Sequence, residues 1–346
     1  MAELTDLGRL LERERGRLLE ALGAVTHGGM VERIEWIGST SVAGLEGSGR
    51  LDIGLAIWPF PADPNTLASI GYLPSGNDTG DLQRFERTGQ GVVAWLAKAD
   101  SGFLEQAVLI RDYLRDYEPA RQDFTSHRAD KDAFFRRILP DAQRWWVEHS
   151  GFQPLEAVAA EFAGGPQPAT FDWYISSGWA IDLFLGRVTR VHRDVDVVVP
   201  FSQQGALQEH LLSRGWELLT PLDGRLEPWP RHMHIQMPRH QVHAHRGGDL
   251  IDFLFTEIEH DVWRYRRNLV ILRNVERMAL TTPSGIPYLA PEIVLLFKSK
   301  NTGTRERPQD QADFEQVLDL LEPERRAWLR WALTASEPGH PWLDLL

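Results

Sequence analysis

Cysteine is missing from all 346 residues, which excludes disulfides, thiolate zinc sites and cysteine nucleophiles. Long apolar runs are missing too: no stretch reaches the ~20 residues of a membrane-spanning helix, and no membrane association is expected. Basic charge is in deficit, with 37 Lys and Arg against 49 Asp and Glu and a formal net charge of -12. Duplex DNA held by bulk electrostatics calls for the opposite balance. The turn Ile37-Gly38-Ser39-Thr40-Ser41-Val42-Ala43-Gly44-Leu45 is no Walker A loop, because no Gly-Lys-Ser/Thr follows. Met1–Glu20 reads as a charged amphipathic helix rather than a signal peptide, so a cytoplasmic protein is the expectation. What is present is 42% hydrophobic and 25% charged residues, a globular composition on a chain long enough for two domains.

Two halves separate near residues 152–170, where Gly and Pro in the stretch from Glu161 to Thr170 break the periodicity and read as a linker. Before it, Phe134, Phe135, Ile138 and Trp145 mark a helix over Lys131–His149. The halves share a layout. Each has a short Gly/Ser turn (Ile37–Thr40; Ile175–Gly178), then an apolar strand carrying acid (Leu51–Ile57; Asp194–Val199). Each continues with a helical segment ending in Gly-aromatic, at Gly71-Tyr72 and Gly215-Trp216. Strands alternating with helices predict an α/β or α+β domain in each half, each a mixed sheet flanked by helices.

The richest chemistry lies in Val191–Val199. Asp194 and Asp196 are two apart in a β-branched run, and residues two apart on a strand share a face. Adjacent carboxylates repel unless a cation sits between them, and carboxylate oxygen is what Mg²⁺ prefers. Asp252, alone in the apolar strand Leu250–Phe255, is placed to join them from a neighbouring strand, whereas Asp249 reads as a turn acid. Three such acids suffice for two Mg²⁺ ions ~3.5–4 Å apart. The small residues Ser176, Ser177 and Gly178 before a helix let backbone N–H groups approach phosphate oxygens. Asp182, inside that helix, is read as facing solvent. His232, His234, His240, His243 and His245 crowd one segment, but their spacing is loose for zinc and they read as solvated or substrate-facing. His192 is placed to orient the acidic strand. Of the 13 tryptophans, Trp328 and Trp331 read as core or interface, and Trp229 and Trp263 as candidates to line a cleft.

Trp173–Val199, Gly285–Lys298, Asp310 with Asp313-Phe314, and Pro338–Trp342 together resemble the nucleotidyltransferases that inactivate aminoglycoside and lincosamide antibiotics, over roughly residues 171–346. The resemblance implies a DNA polymerase β-like nucleotidyltransferase fold and transfer of a nucleoside monophosphate from a triphosphate to a hydroxyl. It implies that Asp194, Asp196 and Asp252 hold Mg²⁺, Asp252 also deprotonating the acceptor. Ser176, Ser177 and Gly178 would touch the triphosphate, and Arg193 and Lys298 are further candidates to bind it. Two departures stand out: Ser177-Gly178 replaces two glycines, and Gln309 replaces the Lys before Asp310.

The turn Gly38–Leu45, with Leu109–Leu114 and the aromatic helix after Asp130, resembles the GrpB family over approximately residues 5–150. Here the acids fall short: Asp52 is present, but Gly54 stands where a second same-face carboxylate would sit, and Val92–Ala97 offers no third. The expected organisation is therefore a degenerate nucleotidyltransferase-like domain over 1–152 and a catalytic one over 165–346. The leading expectation is Mg²⁺-dependent transfer of AMP from ATP, or of another nucleotide, to a hydroxyl-bearing small molecule, with pyrophosphate released. A polycationic, aminoglycoside-like acceptor suits the acidic chain. The alternatives are transfer to RNA or protein, and a tandem scaffold that binds nucleotide without turnover.

Overall fold

The computed structural model describes residues 2–23, 29–45, 49–76, 78–99, 101–126, 130–163, 168–222, 225–246, 249–300 and 307–346. Two compact units emerge, one of Met1–His149 with Leu219–Pro228, the other of Ser150–Leu218 with Trp229–Leu346. Each contains a mixed sheet flanked by helices, as expected of an α/β or α+β class. Residues 164–167 of the anticipated linker lie outside the described residues. Its first part is no linker, because Glu161 belongs to a helix of the second unit that buries Leu155, Val158 and Phe162. No helix among the described residues is long and apolar enough to cross a membrane.

The first unit runs α1 (Ala2–Leu22), β1 (Val31–Ile37), β2 (Leu51–Ile57), α2 (Pro64–Ala68), β3 (Tyr72–Pro74), β4 (Leu82–Arg87), β5 (Val92–Lys98), α3 (Phe103–Asp116), α4 (Glu118–Ser126) and α5 (Lys131–Ser150). Its sheet order is β1-β2-β5-β4-β3, with β2 and β5 parallel and the other pairs antiparallel. β2 is buried along almost its whole length, as its run of Leu, Ile and Ala requires.

The second unit's helices and strands are α6 (Gln153–Ala163), β6 (Tyr174–Ile175), α7 (Ser177–Leu185), β7 (Asp196–Pro200) and α8 (Gln204–Ser213). Next in the chain are β8 (Glu217–Leu222) and β9 (Arg225–Pro228), whose residues Leu219–Pro228 are grouped with the first unit, and the second unit resumes with β10 (Gln241–Arg246), β11 (Asp249–Glu259), β12 (Val262–Arg264), β13 (Leu272–Asn274) and α9 (Val275–Met278). The chain ends with β14 (Ala279–Thr281), β15 (Pro287–Leu289), α10 (Pro291–Lys298), α11 (Pro308–Leu318) and α12 (Pro323–Ser336). The centre of the sheet is β6-β7-β11-β10, antiparallel, parallel and antiparallel in turn. The first unit repeats these directions in β1-β2-β5-β4, so the duplicated layout read from the sequence extends to strand pairing.

Strand alternation sorts β7 and β11 into two faces. Val197, Val199, Phe253 and Phe255 share one and are at most 1% exposed, forming the core. Asp196 and Val198, with Asp252, Leu254 and Thr256, share the other. The carboxylate face is therefore the one left for a ligand.

Candidate functional site

β7 begins at Asp196, so the acidic strand is shorter than its sequence pattern predicts, and Asp194 occupies a bend just ahead of it. Alternation therefore does not position Asp194. Its carbonyl accepts a hydrogen bond from the Trp179 indole at 3.0 Å, which ties the bend to α7. Asp196 and Asp252 are register partners in the parallel β7/β11 pair, and the Asp252 amide donates to the Val195 carbonyl at 3.0 Å. From β10, His243 pairs across from Asp252 and brings Nδ1 within 2.7 Å of Oδ1.

The three carboxylates sense one another. Burial, then repulsion from Asp194 and Asp252, pushes Asp196 up to about 7, and the Ser177 hydroxyl and Lys298 temper the rise. Asp194 is raised by burial and then by Asp252. Among the described residues, no three His, Asp or Glu side chains close around one point as a finished metal centre would. The donor set nevertheless fits a hard dication: all-oxygen, buried and mutually repelling, it concentrates the charge that such an ion neutralises.

Ser176 and Ser177 line a cavity of about 830 Å³ and enter α7 there, Ser177 at φ 56 in the left-handed region that side chains seldom adopt. The Ser176 amide donates to the Asp196 carbonyl at 2.9 Å, locking the turn to β7. Gly178 faces the protein's own side chains: a Cβ there would stand 2.1 Å from a guanidinium nitrogen of Arg190 and 2.7 Å from the His192 ring. Arg193 is exposed, 3.6 Å from Asp194. Lys298 ends α10 at the cavity wall, and its ammonium lies 2.6 Å from Asp310 and 2.9 Å from Asp313 on α11.

The solvent-facing placement of Asp182 is overturned. Asp182 is fully buried and accepts hydrogen bonds from the Thr189 amide (3.1 Å), the Thr189 hydroxyl (2.6 Å) and His192 Nε2 (2.6 Å). His192 in turn stacks on Trp179 at 4.1 Å. A helical acid is buried when donors reach it, and here they come from the loop that follows, which a helical period does not show. Asp313, named from the sequence only as part of a motif, proves to be a partner of Lys298, and its i,i+3 spacing from Asp310 is the signal for that role; Arg266 and Arg267 carry no such signal.

Of the crowded histidines, His232 and His234 are exposed, His240 lines the cavity and His245 is buried. Asp249 opens β11 and is exposed. Trp263 lines the cavity and donates to Thr256 Oγ1 at 2.8 Å. Trp229 is buried against Phe255, and Trp331 is 47% exposed.

The first unit presents a different picture. Asp52 accepts from the Trp95 indole at 3.0 Å and faces Val93 across the parallel pair. Its carboxylate packs on Gly38 so closely that a Cβ there would meet Oδ2 at 2.8 Å. At Gly54 a Cβ would stand 2.6 Å from Leu104 and 3.0 Å from Ile37. Apolar packing thus occupies the place of a second acid.

Comparison with known proteins separates the same two halves. Residues 7–137 match the family model described as GrpB protein, and residues 166–316 match that of aminoglycoside-2''-adenylyltransferase. A 2''-aminoglycoside nucleotidyltransferase from Escherichia coli is 42% identical over 50 residues, 14% of this chain. The match covers 28% of that relative's length, as it does for a namesake from Klebsiella pneumoniae. Among solved structures, ANT(2")-Ia in complex with adenylyl-2"-tobramycin aligns at 18% identity and a TM-score of 0.36, over 52% of this chain and 93% of its own. GrpB from Enterococcus faecalis aligns at 18% identity and a TM-score of 0.32, over 39% and 92%.

Proposed function

We propose that the second unit is a nucleotidyltransferase that moves a nucleoside monophosphate, AMP from ATP, to a hydroxyl of a small molecule. The single observation that carries this reading is the register pairing of Asp196 and Asp252 on one face of the sheet, with Asp194 on the bend ahead of β7 near enough to raise Asp196, beside a cavity lined by Ser176, Ser177 and Lys298. The match of residues 166–316 to an adenylyltransferase family supports it. On this reading 165–346 is the catalytic domain and 1–152 a degenerate relative, since one engaged carboxylate does not hold two hard ions. A cytoplasmic setting supplies ATP and Mg²⁺ together.

Asp194, Asp196 and Asp252 would hold Mg²⁺, which when bound would neutralise the triphosphate and the developing charge on attacking and leaving oxygens. The residues supply position and charge more than covalent chemistry. Ser176 offers its hydroxyl and Ser177 its backbone N–H to the phosphates, and Arg193 and Lys298 offer positive charge. Asp252 takes the proton of the acceptor hydroxyl. The acceptor oxygen then bonds to the α-phosphorus as the bond to the β-bridging oxygen breaks, and pyrophosphate leaves. His243 at 2.7 Å orients the Asp252 carboxylate.

The test is incubation of the full chain with Mg²⁺, labelled ATP and a panel of hydroxyl-bearing acceptors, aminoglycosides and lincosamides included, with pyrophosphate release measured. Transfer that Asp194→Ala abolishes while nucleotide binding persists supports the enzyme. Nucleotide binding without transfer to any small molecule, RNA or protein acceptor would mark a tandem scaffold instead.

A further inference from the structure

The carboxylates concentrate negative charge on the sheet, yet one wall of the adjoining cavity is positive. Arg266 and Arg267 follow β12 and line that cavity with His240. Both guanidiniums lie over the Phe297 ring, at 5.5 and 5.3 Å. Arg267 also donates to the Phe297 carbonyl at 2.8 Å. Arg266 is partly buried and has no carboxylate at ion-pair distance among the described residues. Burial, then Arg267, pulls its pKa down, and burial with both arginines lowers that of His240, so the three groups share one field. The cavity's other buried cation, Lys298, is already matched by Asp310 and Asp313.

Two neighbouring guanidiniums without a counter-ion, one partly buried, are unfavourable until an anion arrives. Stacking on Phe297 restricts their planar forks, which reduces the ordering cost of meeting an oxyanion. A polycation entering here would face the arginines rather than a line of carboxylates. Of the acids on the wall, Asp310 is engaged by Lys298 and Glu315 by Gln311.

We propose that Arg266, Arg267 and His240 form an anion-binding subsite of this cavity, which takes a phosphate or carboxylate group of a substrate. Two sources offer that chemistry, the outer phosphates of the nucleotide and an acidic acceptor. The proposal rests on the transferase reading only for the choice of those sources.

The experiment measures binding by calorimetry to the full chain, without turnover, so failed pyrophosphate release would leave it intact. The probes are tripolyphosphate for the nucleotide arm and glucose 6-phosphate for the acceptor arm. A charge-assisted hydrogen bond lost in Arg266→Gln is expected to weaken one probe at least about tenfold, with Arg266→Lys recovering part of the affinity. Loss confined to tripolyphosphate assigns the subsite to the nucleotide, and loss confined to glucose 6-phosphate assigns it to an anionic acceptor. Should Arg266→Gln fail to fold, Arg267→Gln on the exposed neighbour makes the same comparison. The proposal is overturned if the native chain binds neither anion, or if both probes bind these variants as they bind the native chain.

Discussion

Nε2 of His192 and Oδ2 of Asp182 stand 2.6 Å apart inside the second unit, and the pair fastens the loop that delivers Asp194. Thr189 adds two donors to the same carboxylate, and the Trp179 ring, stacked on His192, donates to the Asp194 carbonyl. The acid that alternation does not place is thus placed by a buried polar network. Asp182→Ala strands several donors, at about 1–3 kcal/mol for each group left unsatisfied. Urea unfolding is expected to show a loss of about 2–4 kcal/mol, with pyrophosphate release per folded molecule falling more than nucleotide affinity. An unchanged urea midpoint would show that the loop is held by other means.

In the first unit, Asp52→Ala is expected to leave pyrophosphate release unchanged, because that carboxylate serves Trp95 and packs on Gly38. Gly54→Asp, which rebuilds the paired-acid pattern on paper, forces a side chain against Leu104 and Ile37. Overpacking of this kind costs about 1–3 kcal/mol, and a buried charge adds to it. A lowered melting temperature with no gain in metal-dependent activity is the expected result. Activity gained through Gly54→Asp would refute the degenerate assignment.

Much of this was legible in the residue pattern, for identifiable reasons. The β-branched run at Val197–Val199 and the apolar run around Asp252 announce buried strands, and their parallel pairing brings the two acids into register. The helix read over Lys131–His149 appears as α5 with its aromatic positions in place. Less legible was anything fixed by contacts distant in sequence. Asp182 reads as a surface acid until Thr189 and His192 fold back on it. Gly178 reads as a phosphate-approach glycine until Arg190 and His192 are seen against its Cα. Arg266 and Arg267 carry no periodic signal, since only β12 and α10 packing brings them over Phe297.

Lys298 supplies another test. Its side chain is 10% exposed, with the ammonium between Asp310 and Asp313, and Arg190 approaches Asp313 at 3.6 Å. Removing one partner of a buried ion pair is costlier than the pair is stabilising, because the remaining charge stays desolvated. Lys298→Met is expected to destabilise the fold by about 3–5 kcal/mol and to weaken nucleotide binding. The triple variant Lys298→Met with Asp310→Asn and Asp313→Asn should recover much of the stability and none of the nucleotide affinity. Recovery of both would remove Lys298 from the phosphate site.

His245 sets an acid limit on stability. It sits on β10, 8% exposed, where burial and then the neighbouring His243 hold its pKa down to about 4, against the pull of Asp252 and Glu217. In the unfolded chain the imidazole takes its proton near pH 6.5. Between those values the unfolded state binds the extra proton, so stability falls as pH drops from about 6.5 to about 4 and levels below. The full span corresponds to at most about 3 kcal/mol. His245→Gln, which does not titrate, should flatten this part of the profile in urea titrations run with EDTA from pH 7 to 4. The same slope in variant and parent would assign the acid sensitivity to other groups.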